Sequence, residues 1–314
     1  MTTKQKSGLS DCRDRIDLRL AALVPEALPG QTELDTAIAE SVLAPGKRLR
    51  PLMTALTAED LGGDVATAID AGCAVEMVHA ASLVLDDLPS MDNAAMRRGR
   101  PALHVTFGED VAVLTSIAVL AGAFQILATI PRLRPKGRAE AVAILTQAVG
   151  TRGLVGGQFQ DLRGGRATRA LSEIATTNGL KTGSLFSAAV EIGAVVAGAE
   201  MDVRERLRAF ATELGHAFQL LDDLLDGGSN AVLIGKDVGK DAGKSTIVSL
   251  IGRPSVLRRI ERHVEEAHAR LTEVFGPASR LHMLVDMIFD KALGGALEPA
   301  GAVLPVLPER GTGT

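Results

Sequence analysis

Two aspartate clusters dominate the polar chemistry of this 314-residue chain. Asp86-Asp87-Leu88-Pro89-Ser90-Met91-Asp92 closes the apolar run Ala80 to Leu85, and Asp222-Asp223-Leu224-Leu225-Asp226 closes the run Ala217 to Leu221. A single acidic pair at a helix end is ordinarily a solvated terminus. Two pairs, each ending a strongly apolar run, put carboxylates where they repel one another unless a cation neutralises them. Hard oxygen donors, with no adjacent Cys and no paired His, point to Mg²⁺ rather than Zn²⁺. Asp222 and Asp226 lie four apart on a helix and share a face, with Gln219 one turn before them. Pro89 must break the first helix, so Asp92 has to come back on a widened turn.

Mg²⁺ commonly bridges a few carboxylates to a phosphate-bearing substrate, and basic residues follow each acidic cluster. Arg97, Arg98 and Arg100 come after the first, and Lys236, Lys240 and Lys244 after the second. Lys47, Arg48 and Arg50 occupy a loop-to-helix junction, Gly46 to Pro51. Arg forks grip a diphosphate in a bidentate way, and Lys supplies a point charge. His79 stands seven residues before Asp86 on the same side of one helix, with Glu76 a turn earlier; packed core residue and ligand are both open for it. Lys181-Thr182 reads either as a helix start with Thr182 near the N-cap, or as an ammonium and two oxygens beside the reacting groups.

Long helices must position these residues. Apolar residues are 46% of the chain but aromatics only 3%, with eight Phe, no Trp and no Tyr. A core of Ala, Leu and Val favours helix over sheet. Apolar segments alternate with Gly- and Pro-marked breaks, without sustained period-two alternation, which predicts an all-α fold. Asp70 to Leu88 and Met201 to Leu225 each read as one helix. The tail from Glu298 carries three Pro and three Gly and is expected to fray. A net charge of −4 excludes a general nucleic-acid binder, and the lack of Tyr and Trp argues against stacking RNA modules. Two cysteines, Cys12 and Cys73, make no disulfide framework, so a reducing cytoplasm is expected. Met1 to Asp11 lacks the apolar stretch of a signal peptide. Val111 to Pro131 has no charge and is long enough to cross a bilayer. Its Thr115, Ser116, Gln125 and Thr129 and its Ala content fit a central helix of a large soluble protein, and no second span of similar quality accompanies it. No transmembrane segment is therefore expected.

Gly46 to Pro51, Glu76 to Asp92, Arg97-Arg98-Gly99, Gly157-Gln158 with Asp161, Lys181-Thr182-Gly183, Phe218 to Asp226 and Gly235 to Thr246 occur here in order. In this the chain resembles the polyprenyl (isoprenyl diphosphate) synthase family of trans-prenyltransferases. Within it, the chain is similar to bacterial geranylgeranyl diphosphate synthases of the carotenoid-pathway type, from about Pro45 to Gly252. The resemblance implies a single all-α domain over 1–314, a large orthogonal helical bundle of isoprenoid synthase type around a central cavity, with flexible ends at about 1–8 and 298–314. It implies a homodimer and several Mg²⁺ ions per active site. The implied reaction is head-to-tail condensation of isopentenyl diphosphate with dimethylallyl, geranyl or farnesyl diphosphate.

The resemblance also assigns roles. Asp86 and Asp92, with Asp87 nearby, would bind metal on one wall, and Asp222, supported by Asp223 and Asp226, on the other. Lys47, Arg50, His79 and Arg98 would hold isopentenyl diphosphate. Arg97, Lys181, Lys236 and Lys244 would hold the allylic diphosphate, and the Thr182 and Gln219 oxygens would face the allylic cation. The released diphosphate would take the final proton, so no side-chain base is needed. Ala81 and Ser82 would line the path of the growing chain, and their small size favours a C20 product. A C15 farnesyl diphosphate synthase and a degenerate regulatory subunit of a heteromeric synthase are the alternatives. The chain departs from the family pattern at Leu85, where His is common, at Ala94-Ala95, where acids are common, and at Thr115 to Ala118, where a further Asp is usual.

Overall fold

The computed structural model describes the backbone of residues 3–164, 170–226 and 247–296, and the side chains of 8–164, 170–225 and 247–290. Lys236, Lys240, Lys244, the Asp226 side chain and the tail from Glu298 lie outside the described residues. Helices α1 (Thr3–Leu23), α2 (Thr32–Val42) and α3 (Leu49–Asp60) lead to the long α4 (Val65–Asp86). A hairpin of two short strands, β1 (Met96–Arg97) and β2 (Arg100–Pro101), precedes α5 (Leu103–Phe107), α6 (Glu109–Thr129), α7 (Pro135–Val149) and α8 (Leu154–Gly164). Then α9 (Leu171–Asn178) runs through a π-helical turn (Gly179–Gly183) into α10 (Ser184–Val196). The remaining helices are α11 (Met201–Asp226), α12 (Ile247–Ile251), α13 (Arg253–Phe275) and α14 (Arg280–Ala296). The fold is all-α.

Helix α4 is the axis of the bundle. Every residue from Ala71 to Val78 is buried, as expected of a helix surrounded by others, and α1, α2, α3, α6 and α10 all pack on it. It starts before the expected Asp70 because Asp64 caps it: the carboxylate accepts the Ala66 N–H at 3.0 Å and the Thr67 hydroxyl at 2.9 Å. It ends at Asp86 rather than Leu88, so the cluster begins at the last turn of the helix and leaves it. Helix α13 is amphipathic: Val256, Ile260, Ala267 and Leu271 are buried, and it packs along α11. One continuous apolar cluster joins residues from α1 to α14, from Leu9 to Phe289.

Among the described residues three helical stretches, not the one expected, are long and apolar enough to cross a membrane: Val65–Asp86, Glu109–Thr129 and Leu171–Val196. Asp70 and Glu76 conceal the first in the sequence, and the third exists only because the π turn joins α9 to α10. Within their most apolar windows, 72% and 56% of the residues of the first and third are buried, against 33% for α6. Val113, Leu114 and Ile117 of α6 are exposed.

Lys181-Thr182 therefore does not start a helix; it lies in the π turn, where widened backbone often marks a functional site. Helix α8 crosses that turn very closely. A Cβ on Gly157 would stand 2.6 Å from the Lys181 backbone nitrogen and 2.9 Å from Leu180 Cβ. Backbone cannot retreat as a side chain can, so Gly157→Ala is expected to destabilise the protein by about 1–3 kcal/mol. A thermal melt reads this as a drop of several degrees, and an unchanged melting temperature would refute the close crossing.

Candidate active site

A cavity of about 510 Å³ opens between the C-terminal ends of α4 and α11. The loop leading into α3, the β-hairpin, α8, α9, the π turn and α10 also contribute to its walls. Asp86 and Asp92 line it from the α4 side, and Asp222 and Asp223 from α11. Lys47, Arg50, His79, Arg97, Arg98, Lys181, Thr182, Gln219 and Ser82 line the same space. Of the expected site residues with described side chains, only Asp87 and Ala81 do not line it.

Asp87 is held elsewhere. It is buried, and its carboxylate is clasped by Arg97, whose Nε stands 3.0 Å from Oδ1. Its pairing with Arg97, and not helix geometry alone, turns Asp87 away from the cavity that Asp86 lines. Ala81 is fully buried, and its carbonyl accepts the Ser116 hydroxyl of α6 at 3.3 Å. Ser82 is the member of that pair that lines the cavity.

Local backbone geometry delivers the loop residues. Asp92 returns as Pro89 requires: its N–H donates to the Asp86 carbonyl at 2.9 Å, and Ala94 N–H donates to the Asp87 carbonyl at 3.0 Å. The basic turn after it is the β-hairpin. Arg98 (φ 53°) and Gly99 (φ 77°) form its two-residue loop, both at positive φ as a type I′ turn requires. Arg98 Nη1 donates to the Pro45 carbonyl at 2.8 Å, which ties the hairpin to the loop carrying Lys47. Gly46 leaves room for this, since a Cβ there would stand 3.0 Å from Nη1.

Arg48 has a role that residue type alone did not reveal. It sits at φ 51° with 5% exposure, donating through Nε to Asp17 at 2.8 Å and through Nη1 to Glu76 at 3.1 Å. The pair fastens the loop to α1 and α4. Asp161, noted in the sequence only as part of a motif, pairs with Lys181 at 3.3 Å. On the α11 side, Gln219 Nε2 donates to Asp223 Oδ1 at 3.0 Å, and Thr182 Oγ1 donates to Gln219 Oε1 at 3.0 Å. That chain of bonds sets the orientation of the Thr182 hydroxyl.

The electrostatics are those of charges held out of water. Burial, with Asp92 and Asp87 close by, pushes the Asp86 carboxyl up to about 6 against the pull of Lys181 and Arg97. Burial, then the cations Arg50, Arg98, Arg97 and Arg48, holds His79 well below its ordinary value, so it is neutral at pH 7. Burial pulls the Lys181 ammonium down, but Asp86, Asp161 and Asp92 outweigh it and the net shift is upward. Among the described residues no three His, Cys, Asp or Glu side chains form a ready-made metal cage. An all-oxygen donor set spread over two helices, with one carboxyl penalised by burial, suits a hard divalent cation completed by a second ligand.

This has a consequence for the metal-free protein. A carboxyl at about 6 in the folded state, against an ordinary 3.8, favours the fold while it is protonated. That contribution is complete at low pH and is lost as the pH rises through about 6. Asp86→Asn, which cannot ionise, is therefore expected to raise the melting temperature in chelator by a few degrees at about pH 8 and by little at about pH 4. Equal shifts at both pH values would overturn the assignment.

Carboxylates and cations that share one cavity inside a helical bundle define a site for a multiply charged anion taken up together with a cation. The sequence profile of the Polyprenyl synthetase family matches residues 31–278. The chain is 44% identical over 301 residues to a geranylgeranyl diphosphate synthase of Pantoea ananas, covering 93% of this chain and 99% of that one. It is 38% identical over 276 residues to a farnesyl diphosphate synthase of Geobacillus stearothermophilus, covering 86% and 93%. Its fold matches the geranyltransferase of Helicobacter pylori, crystallised in complex with magnesium and isoprenyl diphosphate, with a TM-score of 0.80 and 26% identity, covering 95% of this chain and 99% of that one. The chain belongs to the polyprenyl synthetase family.

Proposed function

We propose that this protein is a Mg²⁺-dependent prenyltransferase that condenses isopentenyl diphosphate with allylic diphosphates to give geranylgeranyl diphosphate (C20). The observation that carries the reading is the meeting of Asp86 and Asp92 with Asp222 and Asp223 in the cavity that also gathers Lys47, Arg50, Arg97, Arg98 and Lys181. The relative from Pantoea ananas supports the C20 product over the C15 product of the less similar farnesyl synthase.

Asp86, Asp92, Asp222 and Asp223 would hold Mg²⁺, which when bound supplies charge neutralisation for the allylic diphosphate leaving group. Arg97 and Lys181 add fixed positive charge on the same group, so the allylic C–O bond breaks more readily. Arg97 is oriented for this by Asp87, and Lys181 by Asp161. Thr182 Oγ1, turned by its bond to Gln219, directs oxygen lone pairs at the allylic cation. Lys47, Arg50 and Arg98 hold isopentenyl diphosphate so that its double bond lies against the allylic C1. Neutral His79 contributes a hydrogen bond without adding charge. The diphosphate released takes the last proton.

Pure protein with Mg²⁺, isopentenyl diphosphate and each of the C5, C10 and C15 allylic diphosphates is expected to yield a C20 product. A C15 end product would favour the farnesyl alternative, and no elongation from any primer would favour a degenerate subunit. Ser82 lines the cavity four residues before Asp86, so Ser82→Phe is expected to shift the product toward C15, read by chromatography of the dephosphorylated prenols. Unchanged C20 output from that variant would remove the steric account of chain length.

We further propose that the whole chain acts as one catalytic domain in the cytoplasm and pairs with a second copy through α6. Ile117 is 58% exposed, beside Leu114 at 53%, and Phe159 of α8 is 61% exposed. Apolar exposure of this kind on a helix marks an interface. Ile117→Asp is expected to convert a dimer to a monomer in light scattering after gel filtration, and a dimer that persists would place the contact elsewhere.

A further inference from the structure

Arg50 poses a physical problem that the carboxylates do not solve. It is the second residue of α3, and its Nε is buried without a hydrogen-bond partner. Desolvation brings its guanidinium down to about 10, so it stays charged at pH 7, and among the described residues no carboxylate forms a salt bridge with it. Glu76 and Asp222 act on it electrostatically, but Glu76 is already bonded to Arg48. A buried cation left without compensation is costly.

A further contact comes from one of the eight Phe residues in the chain. The Arg50 guanidinium carbon lies over the Phe186 ring, 5.0 Å from its centroid. Phe186 belongs to α10, is fully buried, and is not among the residues lining the cavity. Its ring is fixed by an edge-to-face contact with Phe218 of α11, with centroids 5.2 Å apart at 70°. Lys47 Nζ in turn stands 5.9 Å from the centroid of Phe218. Two perpendicular rings thus lie beneath two cations that flank the start of α3.

We propose that Phe186 is a positioning residue for the diphosphate-binding Arg50: its ring face holds the guanidinium in place while leaving the N–H donors for the phosphate oxygens of isopentenyl diphosphate. A carboxylate in the same place would attract Arg50 more strongly but would occupy those donors and repel the incoming anion. A ring quadrupole attracts the cation without forming hydrogen bonds and without net charge. The proposal rests on the reading of Arg50 as a ligand for isopentenyl diphosphate, and the experiment separates the two.

Ring fluorination drains the negative face of an aromatic with little change of shape, so it weakens the attraction in graded steps. Phe186 is replaced in the full chain by 4-fluoro-, 3,5-difluoro- and pentafluorophenylalanine through stop-codon suppression. Isopentenyl diphosphate is titrated calorimetrically without an allylic partner, so no turnover occurs. Affinity is expected to fall stepwise with fluorine count, by about fivefold across the series, while the melting temperature stays level. In an Arg50→Met background the gradient is expected to vanish. A flat series alongside a clear loss of affinity in Arg50→Met overturns the role of Phe186 and leaves the site reading standing. Unchanged affinity in Arg50→Met overturns the site reading itself. A gradient that persists without Arg50, or that follows the melting temperature instead of the fluorine count, also overturns the proposal.

Discussion

Ionising the buried Asp86 beside Asp92 costs free energy that the chain's own cations offset only in part, which is why its carboxyl rests near 6. The same imbalance recurs with opposite sign at Arg50 and His79, where desolvation and neighbouring cations disfavour the charged form. Full internal pairing would remove both penalties and close the site. Instead Arg48 pairs with Glu76 and Asp17, Lys181 with Asp161 and Arg97 with Asp87, while Asp86 and Arg50 stay in the cavity wall with their penalties. A cation and a polyanion bound there together would relieve both penalties, which would couple the uptake of the two.

Holding unfavourable charges in place demands backbone that does not yield. Among the described residues three non-glycine positions have positive φ: Arg48, Asn93 and Arg98. All three border the cavity or its loops: Arg48 ahead of α3, Asn93 just after Asp92, and Arg98 at the hairpin tip. A conformation this uncommon persists where surrounding contacts over-determine it, as the bonds from Arg48 to two helices and from Arg98 to Pro45 do. The π turn under Lys181 and Thr182 belongs with them, wedged against Gly157. The remainder of the bundle is regular helix, with α4 encased and α13 amphipathic, and serves as the frame that bears this local cost.

The scarcity of aromatic residues gains a meaning from these contacts. A chain without Trp or Tyr builds its core from aliphatic side chains, which suit a channel for a growing prenyl group. Two of the few rings present stand edge to face beneath Lys47 and Arg50, where a neutral partner for a cation is more useful than an acid.

Much of this was legible in the residues alone. Apolar runs ending in Asp-Asp, with Gly- and Pro-marked breaks, determined an all-α fold, the span of α11 and the return of Asp92 after Pro89, because helix periodicity and proline sterics are local. Residue type and order likewise named most of the groups that line the cavity. Other outcomes were decided only when the chain closed on itself. Asp87 turned to Arg97, Ala81 turned to α6 while Ser82 took the cavity wall, and Arg48 was consumed by Asp17 and Glu76. Phe186, unremarkable in sequence, came to lie under Arg50, and three helical stretches among the described residues, rather than one, proved apolar enough for a membrane. Each depends on which side chain from a distant element reaches a given atom first. Sequence periodicity specifies the face of a helix, whereas only tertiary packing supplies the partner that the face meets.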